Sequence, residues 1–158
     1  MPQPPILLTA ALQGPLIAQP ATPDFIAEPD FQPHEHGLGA RNLLNAAYAQ
    51  GQGETAAFGE WWAALRTDDE FDQRLCLCLI DQRSDELVGF AHCWTTGFLK
   101  DFAILPGRQG QGLGRFLFAR TCARLAGLGV RSISLKVIAS NTPAIAFYRS
   151  RGLKPAAA

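Results

Sequence analysis

The chain has 158 residues, 47% hydrophobic and 18% charged, enough apolar material for one core and one domain, with no stretch long enough to span a bilayer. Its net charge of zero hides a segregation: residues 1–101 hold all 14 Asp and Glu against five basic side chains, net −9, whereas residues 102–158 hold nine basic side chains and no acid, net +9. That polarity fits a polyanionic ligand on the C-terminal part, or two segments that attract one another across the fold.

In chain order, the apolar run Ile6 to Leu12 predicts a first strand. Gly14-Pro15 breaks it, and no Lys or Arg precedes Arg41, which argues against a secretory leader, while the cysteines, read below as free thiols, fit a reducing cytoplasm. The rest of residues 1–40 is rich in Pro and Gly, and His34-Glu35-His36 reads there as a solvated loop, because no later ligands at metal spacing follow it. Leu43, Leu44, Ala47 and Tyr48 recur at helical spacing over 40–49, and 60–65 predicts a second helix, with Gly51-Gln52-Gly53 as the break between them.

The period then changes to two. Leu75, Leu77 and Leu79 alternate with Cys76, Cys78 and Ile80, so this strand is apolar on both faces, as a central strand is. Short turns lead to strands over 87–95 and 98–105, which predicts an antiparallel meander. The glycine-rich run Gln109 to Gly114 opens a helix that ends near Gly127 or Gly129, and Ser132 to Val137 alternates as a strand, so the connection is that of a βαβ crossover. Thr142 as N-cap, Pro143 at the first helical position and Gly152 just past the end bound the last helix. The four cysteines show no Cys-x-x-Cys spacing and lie in apolar segments, as buried free thiols do.

The glycine run carries the first chemical signal. Glycines let the backbone approach a ligand, and the helix behind them presents unpaired N–H groups at its positive end, so the turn suits phosphate. Its Gly-x-Gly-x-Gly spacing is neither the dinucleotide Gly-x-Gly-x-x-Gly nor a P-loop. No acid follows about 20 residues on to hold a ribose, which excludes a dinucleotide oxidoreductase, and the arginines do not require nucleic acid.

Read with its surroundings the run is more specific. Phe102-Ala103-Ile104-Leu105-Pro106 followed by Arg108 to Gly114 resembles the signature strand and [Arg/Gln]-x-x-Gly-x-[Gly/Ala] loop of the GNAT acetyltransferases, with Gln109, Gly112 and Gly114 filling the pattern. Asn141 to Tyr148, ending at Gly152-Leu153, is similar to that family's second signature. The resemblance covers residues 87–153 and implies an α/β (α+β) fold in one domain over residues 1–158. Its mixed, twisted sheet would be antiparallel up to residue 105, with a parallel pair splayed around acetyl-CoA.

The resemblance also implies N-acetylation of a primary amine, on a small molecule or a peptide, by direct attack. The backbone of Phe102, Ala103 and Ile104 would hold the pantetheine arm. Gly110, Gln111, Gly112, Leu113, Gly114 and Arg115, with Gln109, would cradle the pyrophosphate, and Asn141 would touch the cofactor. Tyr148 would protonate the leaving thiolate, and no metal is implied. Many relatives place a Glu base where this chain has Lys100 and Lys136. Asp101, the one carboxylate of the signature strand, is the candidate base, or it holds the amine, caps a turn or pairs with an arginine; a water chain would need no dedicated base. The acid surplus of the N-terminal half, Asp68-Asp69-Glu70 and Asp72 included, points to a cationic acceptor or to a solvated face. After Leu153 there is room for one short strand, so the sheet edge is either trimmed or covered by a second subunit in a homodimer. The rival from another class is a non-catalytic CoA-binding module.

Overall fold

The computed structural model describes residues 3–49 and 54–157, so the expected break at Gly51-Gln52-Gly53 lies outside the described residues. The chain runs β1 (Ile6–Ala11), β2 (Ile26–Ala27), α1 (Pro33–Tyr48), α2 (Phe58–Arg66), β3 (Cys76–Asp81), β4 (Glu86–Cys93), β5 (Leu99–Ile104), α3 (Leu113–Gly127), β6 (Ser132–Val137), α4 (Thr142–Ser150) and β7 (Lys154–Pro155). β2, β3, β4 and β5 form an antiparallel sheet in that order, and β1 lies between β6 and β7 in a second antiparallel sheet.

The two-faced apolar strand explains the layering. Leu77 and Leu79 of β3 enter a core shared with α3, β1 and β6, while Cys76 and Cys78 enter a second core under α1 and α2 with Phe90, Trp61 and Leu44. A strand buried on both faces fixes its own register, because a one-residue slip would exchange the two cores. All four cysteines are buried free thiols, and burial pushes Cys78 and Cys122 up to about 12, which keeps them inert.

Where the two sheets meet, β5 and β6 run parallel and share a single bridge, Phe98 to Ser134, with the Ser134 N–H donating to the Gly97 carbonyl at 3.0 Å. Beyond it they splay, as expected of the parallel pair. Gly97 has φ of +93°, and a Cβ there would stand 2.1 Å from the Ser132 carbonyl oxygen. This closest approach of the sheets therefore requires glycine.

Several boundaries differ from the sequence reading. α1 starts at Pro33 rather than near residue 40, so His34-Glu35-His36 forms its first turn instead of a loop. Pro33 sits at the first helical position, where its missing N–H is no loss. Gly37, inside this helix, is where α2 packs close: a Cβ would be 2.5 Å from a ring carbon of Phe58. The N-cap of α4 is Asn141, not Thr142; its side chain accepts from the Ala144 N–H at 3.3 Å. The short β7 pairs with β1 through Leu8–Pro155 and Thr9–Lys154. No helix among the described residues is long and apolar enough to cross a membrane.

Candidate active site

The splay of β5 from β6 opens a cleft of about 640 Å³, lined along β5 by Phe102, Ala103 and Ile104, at the glycine loop by Gln109 and Gly114, and on α4 by Asn141, Phe147 and Tyr148. Both sequence signatures thus converge on one cavity although almost 40 residues separate Phe102 from Asn141. The far wall is the C-terminal end of α1, with Ala46, Ala47 and Tyr48.

The edge of β5 supplies the first binding groups. The Leu105 N–H donates to Val88 of β4, and alternation along an antiparallel ladder then turns Ala103 toward β4 and leaves Phe102 and Ile104 facing the cleft. Of the three backbone residues implicated by the sequence, two therefore offer edge N–H groups. The Phe102 N–H is held by the Tyr48 hydroxyl at 3.4 Å, a length at the weak end of hydrogen bonding.

The glycine loop supplies the second. Gly112 is the N-cap of α3 in the left-handed region, φ of +79°, with no side chain capping the helix. The first N–H groups of α3, at Leu113, Gly114 and Arg115, are thus open to an anion at the positive end of the helix. A Cβ added at Gly110 or Gly112 meets nothing within 4 Å, so the space above the loop is free for a ligand. This cradle, the β5 edge and the cleft fit the pyrophosphate and pantetheine of acetyl-CoA.

Arg108 does not point to that ligand. Its guanidinium donates to Asp81 at 2.7 Å, to Gln111 at 3.3 Å and to Glu86 at 3.5 Å, which ties the loop to the β3–β4 turn. Arg83, through its guanidinium and backbone N–H, and then Arg108 hold the buried Asp81 carboxyl well below the usual carboxylate range. Arg120 and Arg124 likewise pair with Glu28. Part of the charge segregation is therefore spent between the two halves of the chain, while Arg115 forms no ion pair among the described residues.

Tyr148 is half-buried, packed edge-on to Phe147 at 5.2 Å and against Phe118 at 5.7 Å. Its hydroxyl makes no hydrogen bond among the described residues. Burial, with a smaller push from the Cys93 thiol, holds that hydroxyl above the usual phenol range, so it is protonated throughout the neutral pH range. Asn141 spends its side-chain oxygen on the cap of α4, which leaves its amide NH2 for a ligand.

Asp101 is buried at 6% exposure and is not among the cleft's lining residues. The Tyr48 hydroxyl donates to its Oδ1 at 3.1 Å, and Lys100 Nζ to its Oδ2 at 3.3 Å. Burial and the Asp101 carboxylate both raise the Tyr48 pKa, so Tyr48 stays a donor. Opposite Asp101 in the ladder stands His92, fully buried, with neither ring nitrogen partnered among the described residues and its ring 4.6 Å from that of Trp94. Burial lowers His92 to about 4, outweighing the Asp101 carboxylate.

Sequence reasoning missed Tyr48 and His92 as members of this cluster. Tyr48 was legible only as one more apolar position on α1, and nothing in periodicity pairs β4 with the C-terminus of a helix. The acidic run lies elsewhere: Asp68 accepts from the Glu70 N–H, and Asp72 caps the 3-10 turn at Gln73–Leu75 and binds Arg74.

Comparisons with known proteins identify the family and the fold. Residues 37–153 match the family model described as the acetyltransferase (GNAT) family. A mycothiol acetyltransferase of Kytococcus sedentarius is 35% identical over 101 residues, 60% of this chain and 33% of that protein. A GCN5-related N-acetyltransferase from Sphaerobacter thermophilus superimposes with a TM-score of 0.83 at 20% identity, over 99% of this chain and 50% of that one. The ribosomal-protein-S18-alanine N-acetyltransferase of Escherichia coli does so with 0.67 at 24% identity, over 84% and 79%. The chain thus spans about a third of that curated relative and half of the Sphaerobacter structure, and it belongs to the GNAT acetyltransferase family.

Proposed function

We propose that the chain transfers the acetyl group of acetyl-CoA to a primary amine. The observation that carries this reading is the convergence of an open helix N-terminus, a free strand edge and a protonated tyrosine on one cleft. Acetyl-CoA supplies the activated thioester. The α3 N–H groups and the Asn141 amide hold its polar end, and the Ile104 N–H, aimed into the cleft, stabilises negative charge on the carbonyl oxygen.

The amine enters from the α1 wall beside Tyr48, its nitrogen bonds to the carbonyl carbon, and the carbon–sulfur bond breaks. Tyr148 gives its proton to the sulfur, and the proton lost by the amine passes to solvent, from which Tyr148 is restored. Asp101, its oxygens engaged by Tyr48 and Lys100, acts by positioning those two groups. With no carboxylate lining the cleft among the described residues, an amine that binds in its neutral form is the simplest nucleophile.

The second reading, a CoA-binding module without turnover, is favoured by that missing carboxylate. Calorimetric titration with acetyl-CoA, with NADH as control, followed by a thiol-release assay over an amine panel, separates the two. Amine-dependent thiol release supports the enzyme, binding without release supports the module, and no binding refutes both.

A further inference from the structure

The charged lining of the cleft is one-sided. Among the described residues its only charged side chains are Lys100 on β5 and Lys136 on β6, with no carboxylate in the lining. Each lies two residues beyond the Phe98–Ser134 bridge, where the strands begin to part.

Their shared direction follows from the ladder. Cys93 pairs with Leu99 and His92 with Asp101, so Lys100 is the extra residue of a bulge in β5. A bulge re-aims the side chains beside it. Leu99 faces the core under α3, whereas Asp101 lies on the α1 side with Tyr48, and the ammonium of Lys100 bonds to Asp101 there. On β6, Ile133, Leu135 and Val137 enter the α3 core, so Lys136 between them faces away from it and is exposed. Lys136 forms no ion pair among the described residues.

Lys100 already has the Asp101 carboxylate as its counter-charge, whereas Lys136 is exposed and unpaired among the described residues, so an anion that enters the opening meets one uncompensated cation and a second that keeps ammonium N–H groups free. The cofactor's pyrophosphate is a poor candidate for that anion, because the glycine loop lies past Ile104, four residues and about 13 Å of strand from Lys100.

We infer that the acceptor is a small amine that carries its own anionic group, a carboxylate or a phosphate, which Lys136 and Lys100 bind at the β5–β6 opening. This rests on the acetyl-transfer reading. The same cations disfavour a second positive charge beside them, and so favour the neutral, nucleophilic form of the bound amine. The acid-rich half of the chain thus does not translate into a cationic substrate, since none of its carboxylates is among the residues that line the opening.

The test uses the whole chain. Acetyl-CoA binding is measured first by calorimetry, then thiol release with β-alanine and phosphoethanolamine against β-alaninamide, ethanolamine and spermidine. The expected result is a kcat/KM for one anionic amine at least about tenfold above its uncharged counterpart and above spermidine, the size of one charge-assisted hydrogen bond. Lys136→Met should raise the KM for that amine about tenfold with little change in acetyl-CoA affinity, and Lys136→Arg should restore most of it. Acetyl-CoA binding followed by equal or better use of the uncharged amines or spermidine, or no use of any anionic amine, overturns the inference alone. A loss of acetyl-CoA affinity in Lys136→Met assigns the lysine to the cofactor and also overturns it. Failure of the parent chain to bind acetyl-CoA sinks the acetyl-transfer reading beneath it.

Discussion

Replacing Gly97 by alanine tests whether the joint between the two sheets is as tight as described. The substitution places a Cβ 2.1 Å from the Ser132 carbonyl oxygen and 3.0 Å from Val130 Cγ1, at a φ of +93°. Both the oxygen and the strand that carries it are backbone, so relief requires β6 to move by about 1 Å. The left-handed conformation costs about 1–2 kcal/mol for a residue with a side chain. The displaced Ser134-to-Gly97 hydrogen bond costs about 1 kcal/mol more, and strain in the shifted strand brings the total to about 3–5 kcal/mol. For a chain of this size that lowers Tm by about 6–20 °C.

Gly129→Ala is the matched control, because Gly129 has φ of +84° but nothing within 4 Å of its added Cβ. It should lose only the conformational part, about 2–8 °C. Thermal melts of the two variants by circular dichroism decide the matter. If Gly97→Ala melts within about 2 °C of Gly129→Ala, the close approach contributes nothing and the joint is looser than its geometry.

Three further outcomes can be checked. Tyr148→Phe should leave acetyl-CoA affinity intact by calorimetry and lower kcat about 100-fold, the ordinary loss for a missing general acid; unchanged turnover removes Tyr148 from the chemistry. Gly112→Glu forces a left-handed non-glycine residue and a carboxylate onto the phosphate cradle, so acetyl-CoA binding should fall by at least about 100-fold while Tm drops only a few degrees. His92 binds its proton less readily in the fold, about 4 against 6.5 for the free side chain. The unfolded chain therefore binds more protons between those values, and stability is lost as pH falls from 6.5 toward 4, by up to about 3 kcal/mol. Urea melts at pH 7 and pH 5 should show that slope, and His92→Leu, which removes two unpartnered nitrogens, should flatten it.

The half of the cleft proposed for the cofactor was legible as structure because its signals are local. The glycine run, the alternating strand before it and the capped helix at Asn141-Thr142-Pro143 each state their conformation within a few residues. The acceptor half was not, because it depends on distant pairings. Whether Asp101 faces the cleft is decided by one extra residue in β5 against β4, and period-two reading cannot register a bulge. Tyr48 reaches Asp101 across 53 residues of sequence. The helix start at Pro33 was hidden by Gly37 and Gly39, whose purpose in the first case is the close seat of Phe58, a tertiary demand that overrides local propensity.

The pairing of β1 with β6 has a consequence for how the chain is made. Their partners, from Ile6–Val137 to Ala11–Ser132, are more than 120 residues apart. At about 5–20 residues per second a ribosome needs roughly 6–24 s to deliver β6 after β1 has left it. During that interval Leu8 has no sheet to enter, whereas β3, β4 and β5 can pair as soon as their short turns close. The meander therefore matures first, and β1 waits as an unpaired apolar strand. The cleft takes one wall from β6 and α4, so it cannot form while only the meander is in place, and a ligand that binds there stabilises the later state and not the meander alone.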